Sequence, residues 1–293
     1  MDDIRIGVIG IPGKWSTEAL ADAVAARTGQ RHVIDMARVS LDTETGALMH
    51  EGQDLCGFDA LIIKKISEIY SPHALDRLEL LRVAENRGVR IFSRPEAVLR
   101  LMDRLACTVS LQLAGAPMPA TVVTEDPEVA RATVRRYGKA VFKPLFSTKA
   151  RGMMVIGDDA GAEAQISGFA AANPVMYIQR MLNLSGQDLG MVFLDGEYLC
   201  TYARVSAGDT WNTTIHSGGK YAPYTPSAEL IEIARRAQDP FGLTFTTVDV
   251  ALTDDGPIVF EVSAFGGFRG VRDGCGLDAA ALLADRVIAK VSA

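Results

Sequence analysis

Two short stretches of this 293-residue chain carry side chains that could do chemistry together. The first is "TVDVALTDDGPIVFEVS", strand-like residues interrupted by Asp254-Asp255-Gly256. If those three form the loop, with Gly256 left-handed, Thr253 pairs with Pro257 and Asp249 falls directly opposite Glu261. Two carboxylates then face each other on one side of a hairpin, their side-chain origins ~5 Å apart. Thr247 and Ser263 form the next pair on that side, while Val248, Val250, Phe260 and Val262 make the other side apolar and turn it to a core. Opposed like charges destabilise a sheet, so something must compensate them. A divalent cation would, and two carboxylates with a hydroxyl suit magnesium. A bridging cationic side chain, or plain solvation, would serve as well.

The second stretch is "VFKPLFSTKARGMMVI", Val141 to Ile156. Lys143 lies inside an apolar run, where it needs an anionic partner or an exit to water. The loop adds Ser147, Thr148, Lys149, Arg151 and Gly152. Magnesium with few protein ligands usually fills its shell from substrate phosphates. The hairpin therefore reads as a phosphate clamp, Lys143 reaching in and loop N–H groups facing phosphate oxygens. The plainer reading is a surface hairpin with solvated cations. A third stretch, "GIPGKWST" at Gly10 to Thr17, is not a Walker A loop: Val8 stands where a glycine is required and Trp15 replaces the Ser/Thr. Ser16 and Thr17 at a helix start could hold a carboxylate, or simply mark a strand-to-helix turn.

The elements that position these stretches follow from periodicity. "IRIGVIG", "FDALIIKKI" and "VRIF" read as buried strands alternating with helices over "EALADAVAART" and "HALDRLELLRVAENRG", hence a parallel α/β sheet. Pro95 opens a helix expected to run to about Gly115, and "APMPAT" is a stiff linker. Beyond it come a helix from Glu128 to Tyr137, the Lys143 hairpin, a helix from Ala160 to Ala172 and the strand "VMYIQ". Then "DLGMVFLDGEYLCTYARV" turns at Asp195-Gly196, a type I′ signal, followed by a helix over "SAELIEIARRAQDPFG", the carboxylate hairpin and a last helix from about Leu277. The organisation expected is residues 1–95 as an α/β domain, 96–184 as a central α+β subdomain with the phosphate hairpin, and 185–293 as an α+β subdomain with the metal hairpin.

Bulk properties set limits. A formal charge of −6 and a pI near 5.3 argue against a nucleic-acid surface. No apolar run reaches the ~18 residues of a membrane span, and "MDDIRIGVIG" is no signal peptide. Cys56, Cys107, Cys200 and Cys275 are scattered and read as reduced thiols, which places the protein in the cytoplasm.

Several segments, in order, resemble the ATP-grasp ligases of the ribosomal-protein S6 glutamate ligase branch: "LMDRLACTVSLQLAGAPMPAT", "VFKPLFSTKARGM", "YIQRML", "DLGMVFLDGEYL", "WNTTIHSGG", "VDVAL" and "VFEVSAFGGFRG". The resemblance implies an ATP-grasp fold with an N-terminal parallel α/β (pre-ATP-grasp) domain, and an ATP clamp between two α+β subdomains. By position it implies that Lys143, Arg104, Lys149 and Thr214 meet the nucleotide, that Gln179, Arg180 and Met181 form the adenine linker, and that Asp188 belongs to the same site. It makes Asp249, Glu261 and Ser263 ligands of magnesium, or of manganese in its place, and sets Arg204 and Arg269 near substrate and phosphate; His216 lies in a cleft-lining segment.

The chain departs from the family at Ser263 and Thr214, each for asparagine, at Gly190 for arginine, and at Ser147 and Ala150 for glycines. "SAFGGFRG" replaces the usual "NSSPG" type. The nucleotide core is kept and the acceptor side diverges. The reaction implied is carboxylate–amine ligation through an acyl-phosphate, joining an amino acid, glutamate first, to a small carboxylate acceptor such as a pterin or furan cofactor tail. A peptide- or protein-tail ligase and a non-catalytic nucleotide-binding partner are the alternatives. No nucleic-acid or membrane partner is expected, and self-association stays open. Lys14, Lys64 and Lys65, with Arg204 and Arg269 opposite, are expected to surround the acceptor at the carboxyl edge of the first sheet.

Overall fold

The computed structural model describes residues 4–147, 150–184, 186–206 and 219–293. The chain opens with β1 (Ile6–Ile9), α1 (Trp15–Thr28) and β2 (His32–Ile34). All four residues of β1 are buried, as a strand covered on both faces must be. A small antiparallel sheet of β3 (Val39–Leu41), β4 (Leu48–His50) and β5 (Gln53–Asp54) follows. It has no counterpart in the sequence expectation, its strands being too short to show a period. Then come β6 (Ala60–Ile63), α2 (Pro72–Asn86) and β7 (Arg90–Phe92), completing a parallel sheet of order β2-β1-β6-β7. The carboxyl ends of β1 and β6 deliver Ile11–Lys14 and Lys64–Ser67 to one edge.

The helix expected from Pro95 to Gly115 is two: α3 (Pro95–Met102) and α4 (Arg104–Leu113). Asp103 makes the break, its extended backbone and its carboxylate, accepting from Leu105 N at 2.9 Å, capping α4. The break delivers Arg104 to the cleft described below. After α4 come β8 (Thr121–Thr124), α5 (Pro127–Tyr137), β9 (Lys139–Lys143), β10 (Met154–Gly157), α6 (Ala162–Ala172) and β11 (Met176–Arg180). These strands form an antiparallel sheet of order β10-β9-β11-β8 over a core of its own, built on Phe142, Ile166, Phe169 and Ile178.

The last part carries β12 (Gln187–Leu194), β13 (Glu197–Val205), β14 (Lys220–Pro223), α7 (Ala228–Gln238), β15 (Phe245–Thr253), β16 (Gly256–Ser263), α8 (Phe268–Cys275) and α9 (Ala279–Val291). The sheet order is β14-β13-β12-β15-β16. Asp195 and Gly196 both take positive φ, 53° and 78°, as a type I′ turn requires. The cores beneath this sheet are shared with the N-terminal sheet: Val192 and Val287 join Ile6 and Val8, and Met191 and Val248 join Ile9 and Leu61. No helix among the described residues is long and apolar enough to cross a membrane.

The carboxylate hairpin corrects the sequence argument while keeping its conclusion. Thr253 pairs with Gly256, not Pro257, so the loop is Asp254-Asp255 alone. A β-bulge then leaves Phe260 unpaired, because Val250 pairs with Val259 while Asp249 pairs with Glu261. The short loop and the bulge cancel. Asp249 faces Glu261, and Thr247 faces Ser263, as expected. Phe260 does not join the core: the bulge turns it to the cleft, whereas Val248, Val250 and Val262 are buried. Helix α8 was also unexpected, because two glycines lie within it. Gly270 and Gly274 are small for a reason: a Cβ at either would lie 2.3 or 2.6 Å from Tyr202.

Candidate active site

A cleft of about 640 Å³ runs between the central sheet and the five-stranded sheet to the carboxyl edge of the parallel sheet. At one end, Gln179 and Arg180 close β11 and, with Met181 just after it, line the cleft. The N–H groups of Arg180 and Met181 donate to Ala120 O and Lys139 O, which fixes this linker in place. The Gln179 amide is buried, its Oε1 accepting from Lys143 Nζ and its Nε2 donating to Thr121 Oγ1 at 3.3 Å.

Lys143, last residue of β9, points along the cleft with its Nζ 5.4 Å from the centre of the Phe260 ring. Burial foremost, then the charge of Arg104, lowers its ammonium to about 7 against the opposing pull of Glu261. It is therefore a group whose charge a bound anion would complete. Arg104 ties the Lys143 hairpin to the hairpin of Asp249 and Glu261. Its backbone N–H donates to Leu145 O at 3.2 Å, its Nε to Pro144 O at 3.2 Å, and its Nη2 to Ser147 Oγ at 3.2 Å, while Nη1 lies 3.5 Å from Glu261 Oε2. Lys149 and Thr214 lie outside the described residues, as does His216.

Asp249 and Glu261 come together on one face, and the compensation for their charges is cationic. Arg204 on β13 binds Asp188 on β12 through both carboxylate oxygens and lies 2.9 Å from Asp249 Oδ1. Burial above all, then Glu261 and Asp188, pushes the Asp249 carboxyl up to about 7 although Arg204 opposes this. Burial works against the Arg204 charge, yet Asp249 and Asp188 hold it well above its ordinary value. Ser263 Oγ accepts from Phe265 N at 3.3 Å, which leaves the hydroxyl a lone pair and its proton. Two carboxylates and one hydroxyl on adjacent rungs fit a hard divalent cation. No group of three or more His, Cys, Asp or Glu side chains among the described residues forms a metal cage, so such a cation would need oxygens from a ligand.

The acceptor surround expected from the sequence is brought together only in part. Lys65 lines the cleft, with Nζ 4.6 Å from the Tyr70 ring centre and 5.1 Å from that of Phe265. Lys14 lines it too, paired with Glu68 at 2.8 Å. Thr17 is buried, its Oγ1 accepting from Ile11 N at 3.2 Å. Lys64 is a correction: it is buried away from the cleft, its Nζ 4.0 Å from the Phe268 ring centre and donating to Phe265 O at 2.9 Å. Arg269 is on α8, exposed, its guanidinium 5.5 Å from the Trp15 ring centre and outside the cleft lining.

Tyr202 and Tyr70 also line the cleft, and neither is among the residues singled out from the sequence. Tyr202 could have been suspected from Gly190, across which its ring lies.

Residues 101–287 match the RimK-like ATP-grasp domain. The chain belongs to the RimK-like ATP-grasp family. With that membership it is an ATP-dependent, amide-forming ligase. The RimK-like chain is 26% identical over 279 residues to the probable alpha-L-glutamate ligase 1 of Hahella chejuensis, covering 93% of this chain and 90% of that one. It is 25% identical over 264 residues to the tetrahydromethanopterin:alpha-L-glutamate ligase of Methanosarcina acetivorans, covering 84% and 82%. In fold it is similar to the RimK domain ATP-grasp protein of Sphaerobacter thermophilus, with a TM-score of 0.75, 24% identity and coverage of 96% and 98%. It is similar also to the ATP-grasp ligase PsnB complexed with a precursor variant, Mg and ADP, with a TM-score of 0.76, 22% identity and 99% of both chains covered.

Proposed function

We propose that this RimK-like ligase binds ATP and magnesium in the cleft and joins glutamate to a small carboxylate acceptor, the tail of a pterin or furan cofactor being the leading candidate. The observation that carries this reading is the Asp249–Glu261 pair, opposed on one face and in one cleft with Lys143 and Arg104. The names of the Hahella and Methanosarcina relatives support glutamate, and the second supports a pterin.

In this reading each part falls to residues of the cleft. Adenine lies against Gln179–Met181, with the phosphates directed past Lys143 and Arg104. Asp249, Glu261 and Ser263 would hold magnesium, or manganese, which when bound would offset negative charge on the phosphates. Lys143, adjacent to Phe260 and poorly hydrated, supplies charge to the phosphoryl group in flight, where a buried cation acts most strongly. A carboxylate oxygen of the acceptor attacks the γ-phosphorus and ADP leaves. The amine nitrogen then attacks the acyl carbon, phosphate departs and the nitrogen loses a proton, so no covalent enzyme intermediate is needed. Arg204, held by Asp188 and Asp249, keeps the carboxylates of the two strands in one place.

The test is ADP release with glutamate and a panel of pterin, furan and peptide carboxylates, with the product identified by mass. Release dependent on both glutamate and a cofactor acceptor supports the reading. Release with peptides alone redirects it to the peptide-tail class, and no release with any acceptor sinks it.

A further inference from the structure

One rung further from the turn than Asp249–Glu261, the cleft wall carries a buried polar atom without a partner. Thr247 is 2% exposed, lines the cleft, and its Oγ1 meets no hydrogen-bond partner among the described residues. A buried hydroxyl that nothing ever satisfies is destabilising, so a partner that arrives with the ligand accounts for it. Thr246 Oγ1 is also unpartnered, but Thr246 is not part of the cleft lining.

The backbone beside Thr247 is shaped to it. A Cβ at Gly266 would lie 3.2 Å from Thr247 Oγ1, and one at Gly267, where φ is +89°, only 2.8 Å. Both glycines line the cleft. Lys64 fixes their orientation, its buried Nζ donating to Phe265 O at 2.9 Å and to Gly266 O at 3.4 Å. In a trans peptide the C=O and the following N–H point in opposite directions. Drawing both carbonyls to Lys64 therefore turns the N–H groups of Gly266 and Gly267 away from it. Neither N–H finds an acceptor among the described residues. Successive N–H groups turned one way, with a hydroxyl beside them, make an anion-binding concavity. Lys143 lies on the other side of the metal pair, over Phe260.

We propose that Thr247 Oγ1 and the N–H groups of Gly266 and Gly267 hold a carboxylate oxygen of the acceptor, and that Lys64 is the positioning residue that aims those N–H groups. This rests on the ligase reading above and deepens it. The hydroxyl and N–H donors recognise an oxygen anion on the acceptor side of the metal pair, where a carboxylate must lie to reach the γ-phosphorus.

The experiment titrates glutarate and N-acetyl-L-glutamate by calorimetry into protein saturated with Mg·AMPPNP. The parent binds at least one of them. Thr247→Val weakens that binding about tenfold, the weight of one hydrogen bond to a charged group, while Thr247→Ser stays within about twofold. Lys64→Met weakens it as well, and Mg·AMPPNP affinity is equal in all four proteins. Thr247→Val alone unfolds at no lower temperature than the parent, as removal of an unpartnered hydroxyl requires. Equal carboxylate affinity in parent and Thr247→Val overturns the proposal, and so does absence of carboxylate binding by a parent that binds Mg·AMPPNP. Failure of Mg·AMPPNP itself to bind overturns the ligase reading and takes this inference with it.

Discussion

The ring of Tyr202 lies across Gly190 so closely that a Cβ at position 190 would sit 2.3 Å from its Cζ. Position 190 is where an arginine was expected from the family pattern, and it stands opposite Asp249 on the neighbouring strand. The aromatic ring fills the space a longer side chain would need. Gly190→Ala should therefore destabilise the protein by about 1–3 kcal/mol through overpacking. Adding Tyr202→Ala to it should recover part of that loss relative to the sum of the single changes. Urea unfolding of the single and double variants gives the coupling, and strict additivity would refute it.

Glu261→Gln should leave the fold intact and lower kcat about a hundredfold or more, since one lost preorganised charge contact at a reacting centre is worth ~3 kcal/mol. The unfolding midpoint should hardly move, because Glu261 is exposed and its pairing with Arg104 is a loose 3.5 Å. Magnesium-dependent ADP release and far-ultraviolet circular dichroism read the two halves of this prediction.

Arg204→Met is expected to behave differently. It strips the counter-charge from Asp188 and Asp249 together, and breaking a buried pair from one side costs about 3–5 kcal/mol. Magnesium alone should then raise the unfolding temperature of the variant more than that of the parent, because a divalent cation can replace the missing charge. Equal magnesium shifts in both proteins would count against the arrangement.

Lys64 gives a pH signature. Burial first, with Lys65 adding to it, lowers its ammonium to about 7. Between that value and the ordinary lysine range near 10.4 the unfolded chain holds a proton that the folded one does not, so stability rises with pH. Its penalty is full below about pH 7 and fades towards pH 10. Lys64→Met removes that penalty together with the two hydrogen bonds to Phe265 O and Gly266 O, so its stability relative to the parent should be most favourable near pH 6 and fall as pH rises towards 10. Thermal unfolding across that range tests the sign; a gain that grows with pH would contradict it.

Arg104→Gln should raise the KM for ATP about tenfold, as one charge-assisted contact warrants, and change the KM for glutamate little. The reason is that Arg104 anchors Pro144 and Ser147 of the Lys143 hairpin and, among the described residues, makes no hydrogen bond or ion pair with Lys65 or Phe265. Initial rates at varied ATP and varied glutamate separate the two.

What the sequence determined by itself was local or periodic: the parallel alternation of β1 to β7, the type I′ turn at Asp195-Gly196, and the Lys143 hairpin. Asp249 opposite Glu261 was also legible, but its correctness needed two departures that cancel. The two-residue loop and the bulge at Phe260 arise from how β16 is held against β15 and against Pro117 O, which Val259 N binds at 2.7 Å. No single-strand pattern carries that information.

Lys64 shows the same limit from the other side. A lysine at a strand end reads as a solvent-facing cation until Phe245, Phe268 and the Phe265–Gly266 carbonyls, some two hundred residues away in the chain, close over it. The partner of Arg204 and the ring that excludes a side chain at Gly190 were likewise decided by strands meeting in space. Burial and charge compensation are properties of the assembled neighbours. Spacing along the chain fixes only which residues can share a face.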